Sequence, residues 1–161
     1  MRYSMYQGPE GPLLLVADEA GALVTLHFAQ HGAPIEPEWI EDDVALGDVR
    51  EQLDQYFAGE REDFNLTLAP RGTPFQLEVW EQLRRIPYGE TISYGELAKR
   101  VDRPGAARAV GAANGQNPIA IIVPCHRVIG ADGSLTGFGG GLDWKRWLLD
   151  REQPQGTLIV G

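Results

Sequence analysis

The chain has 161 residues, 43% hydrophobic and 23% charged, an ordinary globular balance with enough apolar material for a real core. The longest uninterrupted apolar runs, residues 13–17 and 119–123, are five long, which excludes a transmembrane span, and the opening Met1-Arg2-Tyr3-Ser4 lacks the apolar core of a signal peptide. Net charge is −9, but it is uneven: residues 1–70 carry 3 Lys/Arg against 14 Asp/Glu, whereas residues 71–161 carry 11 against 9, so only the second half is suited to approach a polyanion.

In chain order, residues 12–17 and 22–28 read as strands, and Asp18-Glu19-Ala20-Gly21 between them supplies hairpin chemistry. Residues 31–43 are acidic and Pro-bearing and read as a loop. Val49, Leu53, Tyr56 and Phe57 fall at helical spacing over residues 48–57. Residues 64–68 alternate as a strand would. Ala69-Pro70-Arg71-Gly72 then breaks the pattern and marks a domain boundary, giving domains 1–70 and 71–161.

The second half is more clearly punctuated. Thr73-Pro74-Phe75-Gln76 reads as a capping box with Pro at the first helical position. The stripe Phe75, Val79, Trp80, Leu83, Ile86 follows, and Pro87 is the expected stop. Ser93-Tyr94-Gly95-Glu96 is a second capping box, opening a helix to about Val101. Pro104-Gly105 turns the chain into a helix over residues 106–114, ended by Gly115. Two short helices joined by a tight turn read as a helix-turn-helix. A final helix, residues 143–152, is expected to be capped by Asp143, with Trp144, Trp147 and Leu148 inward and Pro154 just beyond.

Seven of the ten residues 106–115 are Ala or Gly. Reading helices of sequence-specific regulators present several long polar side chains to base edges. Here Arg108 stands on a face made otherwise of Gly111, Ala112 and Gly115. Two readings fit: a small-residue helix packed inside the protein with Arg108 at its rim, or a helix pressed into a nucleic-acid groove with one side chain entering the base stack.

The lone cysteine, Cys125, excludes an internal disulfide and a Cys-rich zinc site, and its context suits a reducing, cytoplasmic setting. It follows an apolar run ending in Pro124. A lone Cys is usually a small buried hydrophobe. His126 as a base and Arg127 as a positive neighbour favour a nucleophile instead, because a free thiol titrates near ~8.5 and needs such help at neutral pH. In extended chain the side chains of Cys125 and His126 face opposite ways, so a bridging water is the easier proton route. A partner must orient the imidazole, and Glu152 is the candidate.

Pro124-Cys125-His126-Arg127-Val128, preceded by Asn117-Pro118 and by Arg108-Ala109-Val110-Gly111, resembles the O6-alkylguanine-DNA alkyltransferases. So do Ile86-Pro87-Tyr88-Gly89 followed by Ser93-Tyr94, and the later Gly140-Gly141-Leu142 and Trp147-Leu148-Leu149. The resemblance covers about residues 71–153 with matched spacing, and the first half more loosely.

It implies an α+β chain: a small N-terminal sheet-plus-helix domain of ribonuclease H-like type, then a mainly helical winged helix-turn-helix domain that binds DNA and transfers the alkyl group. Cys125 is then the acceptor, His126 takes its proton through a water, and Glu152 orients His126. Asn117 supports the nucleophile, and the Tyr94 hydroxyl donates to a ring nitrogen of the leaving guanine. Arg108 fills the space left by a flipped base, with Ala109, Gly111, Ala112, Gly115 and Arg127 also facing DNA. Tyr94, Val128, Phe138 and Gly139 line the base pocket, with Phe138 standing where many relatives have tyrosine. The implied partner is double-stranded DNA containing O6-alkylguanine, met by a monomer with no cofactor, no metal and no membrane contact; the zinc that some relatives hold in the first half has no cysteine to bind it here. Three other classes stay open: lesion recognition without transfer, a helix-turn-helix transcriptional regulator, and a cysteine hydrolase.

Overall fold

The computed structural model describes residues 1–135, 138 and 140–153. The chain divides into two compact units, Met1–Arg71 with Pro118–Ala120, and Gly72–Asn117 with Ile121–Gly161.

The first unit is a four-stranded sheet with one helix. β1 (Arg2–Gly8), β2 (Gly11–Ala17), β3 (Leu23–Phe28) and β4 (Ile40–Glu41) are ordered β3-β2-β1-β4. β1–β2 and β2–β3 are antiparallel, and β1–β4 is parallel. β2 is central and buried on both faces, which is why it reads Leu13-Leu14-Leu15-Val16 rather than alternating. The Asp18 carboxylate accepts from the Ala20 and Ala22 backbone N–H groups and so closes the β2–β3 hairpin. α1 (Gly47–Phe57) turns Val49, Leu53 and Tyr56 inward. Its Arg50 donates to Ser4 Oγ and the Met5 carbonyl, each at 2.8 Å, and its Asp54 accepts from the Tyr6 hydroxyl, so α1 is tied to β1.

Three features here depart from the sequence expectation. β1 carries its buried positions on Ser4, Tyr6 and Gly8, so its pattern lacks an apolar signature. β4 lies inside the expected 31–43 loop, docked by Ile40 N–H to Met1 and Asp42 N–H to Tyr3. Residues 64–68 are not a strand. Only Leu68 bridges, to Leu23, and the Gln52 side chain of α1 takes both backbone groups of Asn65 that a neighbouring strand would have used.

In the second unit, α2 (Pro74–Leu83) starts with the full Thr73–Gln76 capping box. It stops three residues before Ile86, because successive tight turns (Arg85 N–H to Gln82, Ile86 N–H to Leu83) replace the helical pattern ahead of Pro87. β5 (Ile92–Ser93) pairs in parallel with β6 (Val128–Ile129). α3 (Tyr94–Arg100) is capped by the Ser93 hydroxyl, and α4 (Ala107–Gly115) follows the Pro104-Gly105 turn. Trp80 Nε1 donates to the Ala113 carbonyl at 2.8 Å, fixing α4 on α2.

α5 (Leu142–Glu152) begins earlier than expected. Its N-cap is Gly141 at φ +88°, a conformation glycine adopts without strain, and Asp143 lies in the first turn rather than capping it. Trp144 and Leu148 are buried as expected, while Trp147 is only half-buried. Pro154, the expected helix stop, lies outside the described residues.

Candidate functional site: a buried Cys-His-Glu relay

The segment carrying Cys125 is not extended. Residues Cys125–Arg127 form one 3-10 turn, closed by Arg127 N–H to the Pro124 carbonyl at 3.0 Å. This corrects the extended-chain geometry assumed from sequence. The preceding Ile121 is a buried β-branched residue at φ +72°, a left-handed conformation costing about 1–3 kcal/mol that the surroundings must hold in place.

Cys125 is 6% exposed. Burial pushes its thiol above the usual range, and a hydrogen bond from Asn117 and the charge of Lys145 pull it back part of the way. Asn117 is itself held by donation from Nδ2 to the Val123 carbonyl at 2.7 Å.

His126 is fully buried. Its Nε2 lies 2.8 Å from Glu152 Oε2. A carboxylate there can only accept, so Nε2 carries a hydrogen, and in the neutral imidazole the lone pair falls on Nδ1. That Nδ1 is buried with no hydrogen-bond partner among the described residues. Burial alone would raise the Glu152 carboxyl. The charge His126 carries when protonated and its hydrogen bond, and then the hydrogen bond and charge of Arg127, outweigh it and hold the group well below the usual carboxylate range.

Arg127 differs from its sequence reading. It is 6% exposed, with Nε and Nη2 on the two Glu152 oxygens at 2.8 and 3.0 Å and Nη1 on the Ile86 carbonyl at 2.6 Å. Its guanidinium is committed to a buried two-point ion pair, so it has no face to offer a phosphate, and its charge is offset by Glu152 rather than spent on the thiol.

α4 is not packed away along the face predicted to be bare. Arg108, Ala109, Ala112 and Gly115 are exposed. Gly111 is the exception: it is half-buried beneath the Tyr94 ring, and a Cβ there would lie 3.6 Å from Tyr94 Cδ1. Tyr94 opens α3 and is thereby set against α4. Val128 is fully buried, and its carbonyl accepts from Lys145. Phe138 is half-buried, with Lys145 Nζ over its ring at 5.9 Å. Gly139 lies outside the described residues.

One site residue escaped the sequence reading, and another was read differently. Lys145 is fully buried, donates to the Val128 carbonyl at 2.7 Å, and is lowered to about 8 by burial, with the Cys125 charge acting the other way. The signal was present: Lys145 is three, four and seven residues from Leu148, Leu149 and Glu152, all on the buried face of α5. Asn114, with Arg108 the only polar side chain the sequence of α4 offers to DNA, is turned inward instead. It is buried on α4, its Nδ2 is 3.4 Å from the Cys125 carbonyl, and its Oδ1 has no hydrogen-bond partner among the described residues.

A helix-turn-helix unit with a small two-stranded sheet, carrying a buried thiol beside a carboxylate-oriented imidazole, defines a cysteine-nucleophile protein on a DNA-binding type of scaffold. Residues 74–154 match the family model for the DNA binding domain of 6-O-methylguanine DNA methyltransferase, and residues 1–70 match that for its ribonuclease-like domain. A methylated-DNA–protein-cysteine methyltransferase of Methanosarcina acetivorans is 51% identical over 154 residues, covering 94% of this chain and 98% of its own. The crystal structure of Mycobacterium tuberculosis OGT in complex with DNA is 51% identical with a TM-score of 0.88, covering 95% of this chain and 93% of that one. The O6-methylguanine DNA methyltransferase of Methanococcus jannaschii is similar at 27% identity and a TM-score of 0.65, covering 97% and 96%. The chain belongs to the methylated-DNA–protein-cysteine methyltransferase family.

Proposed function

We propose that this protein repairs DNA by taking O6-alkylguanine out of the duplex and moving the alkyl group, irreversibly and once per molecule, to Cys125 Sγ. The observation that carries the reading is the oriented His126: its Nε2 is engaged by Glu152, and its buried Nδ1 is left as a base beside the only thiol in the chain.

The Cys125 proton passes to Nδ1 across a bridging water, and the resulting imidazolium is stabilised by Glu152. The thiolate attacks the alkyl carbon, an S–C bond forms, and the C–O6 bond breaks with its electron pair left on guanine. The Tyr94 hydroxyl donates to a ring nitrogen as that charge develops. In net terms the thiol's proton ends on the restored guanine. The Lys145 ammonium and Asn117 offset the cost of holding a thiolate in a buried place. The product is a thioether, which this relay has no means to hydrolyse.

Residues 71–161 are the DNA-binding and transfer domain in this reading, and residues 1–70 the structural one. The exposed small-residue face of α4 lets its backbone approach duplex DNA closely, with Arg108 entering the stack in place of the everted base. Sparse base contacts suit a lesion that occurs in any sequence. M. tuberculosis OGT, crystallised with DNA, supports DNA as the partner.

Mixing the protein with a duplex containing O6-methylguanine should add the mass of one methyl group, and Cys125→Ala should abolish the gain while lesion binding persists. An unchanged wild-type mass would count against transfer. The raised Cys125 thiol favours a second reading, lesion recognition without transfer, and lesion binding with no mass gain would select it.

A further inference from the structure

The Ile86-Pro87-Tyr88-Gly89 segment has no part in the transfer steps, yet it touches Arg127 and the end of α5 that carries Glu152. The Ile86 carbonyl accepts from Arg127 Nη1 at 2.6 Å. The Tyr88 ring lies under the Arg127 guanidinium at 5.7 Å, and its hydroxyl donates to the Arg151 carbonyl at 3.1 Å. Gly89 sits at φ +84° with its missing Cβ directed 3.1 Å from the Glu152 carbonyl, and its own carbonyl accepts from Gln153 Nε2 at 3.3 Å. Residues 86–89 thus grip the last turn of α5 through its backbone, and they grip the Glu152 carboxylate through Arg127.

A helix end is where a chain frays, and Glu152 is the final residue of α5. A carboxylate hung there would sample several rotamers. Two parallel N–H···O bonds from a planar guanidinium fix both its oxygens at once, a constraint a lysine cannot supply. Fixing Arg127 in turn requires something rigid, and the backbone carbonyl of Ile86 with the Tyr88 ring provides it.

We infer that residues 86–89 and Arg127 form a clamp that aims the Glu152 carboxylate at His126, so that Arg127 and Tyr88 are positioning residues acting on Cys125 only through Glu152. The inference rests on the alkyl-transfer reading for its purpose, but its test does not depend on repair. Labelling of Cys125 by iodoacetamide reports the proton relay without any DNA.

In the full chain, Arg127→Met should slow both iodoacetamide labelling and transfer from an O6-methylguanine duplex by about tenfold, with Arg127→Lys recovering part of the loss. In a Glu152→Gln background the same change should alter either rate by less than about twofold, because a residue that works through Glu152 has nothing left to act on. Tyr88→Leu removes no buried charge and serves should Arg127→Met fail to fold; it should give a smaller loss that likewise disappears in the Glu152→Gln background. Affinity for undamaged duplex should be unchanged. Equal losses in both backgrounds, no loss in either, or a drop in affinity for undamaged duplex would overturn the clamp. Wild-type protein that labels but transfers nothing would instead overturn the repair reading and leave the cycle to judge the clamp.

Discussion

At the residue scale the proposed chemistry turns on one carboxylate serving two partners. Glu152 accepts from His126 and from both nitrogens of the Arg127 fork, all of them buried. Removing one member of such a set strands a charge, so Arg127→Met should destabilise the protein by about 3–5 kcal/mol, measured by urea unfolding. The double change Arg127→Met with Glu152→Gln should recover much of that loss. Because the Glu152 carboxyl is held below its unfolded value, its contribution is complete above the ordinary carboxylate range and is lost as pH falls through the folded value. Glu152→Gln should therefore flatten the acid side of the stability–pH curve, and an unchanged curve would show that the pairing contributes nothing.

Lys145 and Arg108 are also decided residue by residue. Lys145→Met removes the positive charge that lowers the Cys125 thiol, so the labelling profile should move to higher pH, with about a tenfold rate loss near neutrality for each unit of displacement. Arg108→Ala should cost duplex repair about tenfold or more, since an everted base costs a few kcal/mol to hold, while reaction with free O6-benzylguanine stays near normal. Equal losses on both substrates would show that Arg108 does not act by replacing the base.

At the element scale, α4 gains its proposed role from what it lacks. Ala112 is exposed on a well-formed helix, so Ala112→Glu should change stability by no more than about 0.5 kcal/mol. It should nevertheless weaken duplex binding strongly, by placing bulk and negative charge where close approach is needed; wild-type affinity would remove α4 from the interface. Where the chain punctuates itself, its elements could be read from sequence: the Thr73 box, the Ser93 cap and the Pro104-Gly105 turn all sit where their chemistry puts them. Elements fixed by tertiary partners could not. β1 buries a serine and a glycine, and residues 64–68 lose their ladder to the side chain of Gln52.

At the scale of the whole molecule, the site was legible where chemistry is local and illegible where a side chain's partner decides its role. The pairing of His126 with Glu152 could be anticipated from type and spacing, and the exposure of Arg108 from the bareness around it. Arg127 looks like a surface cation until Glu152 and Ile86 are placed beside it. Lys145 looks solvated until α5 is turned to bury it. The charge asymmetry carries its own prediction: with 11 of the 14 Lys/Arg in residues 71–161, duplex binding should weaken as salt rises. No helix among the described residues is long and apolar enough to cross a membrane.

The most direct measurement is a titration of a fixed amount of O6-methylguanine duplex with the protein, counting restored guanines and mapping the methylated peptide. One guanine restored per protein molecule, with the methyl group on Cys125, is the expected result. Many guanines restored per molecule, or a methyl group found on any other residue, would contradict it.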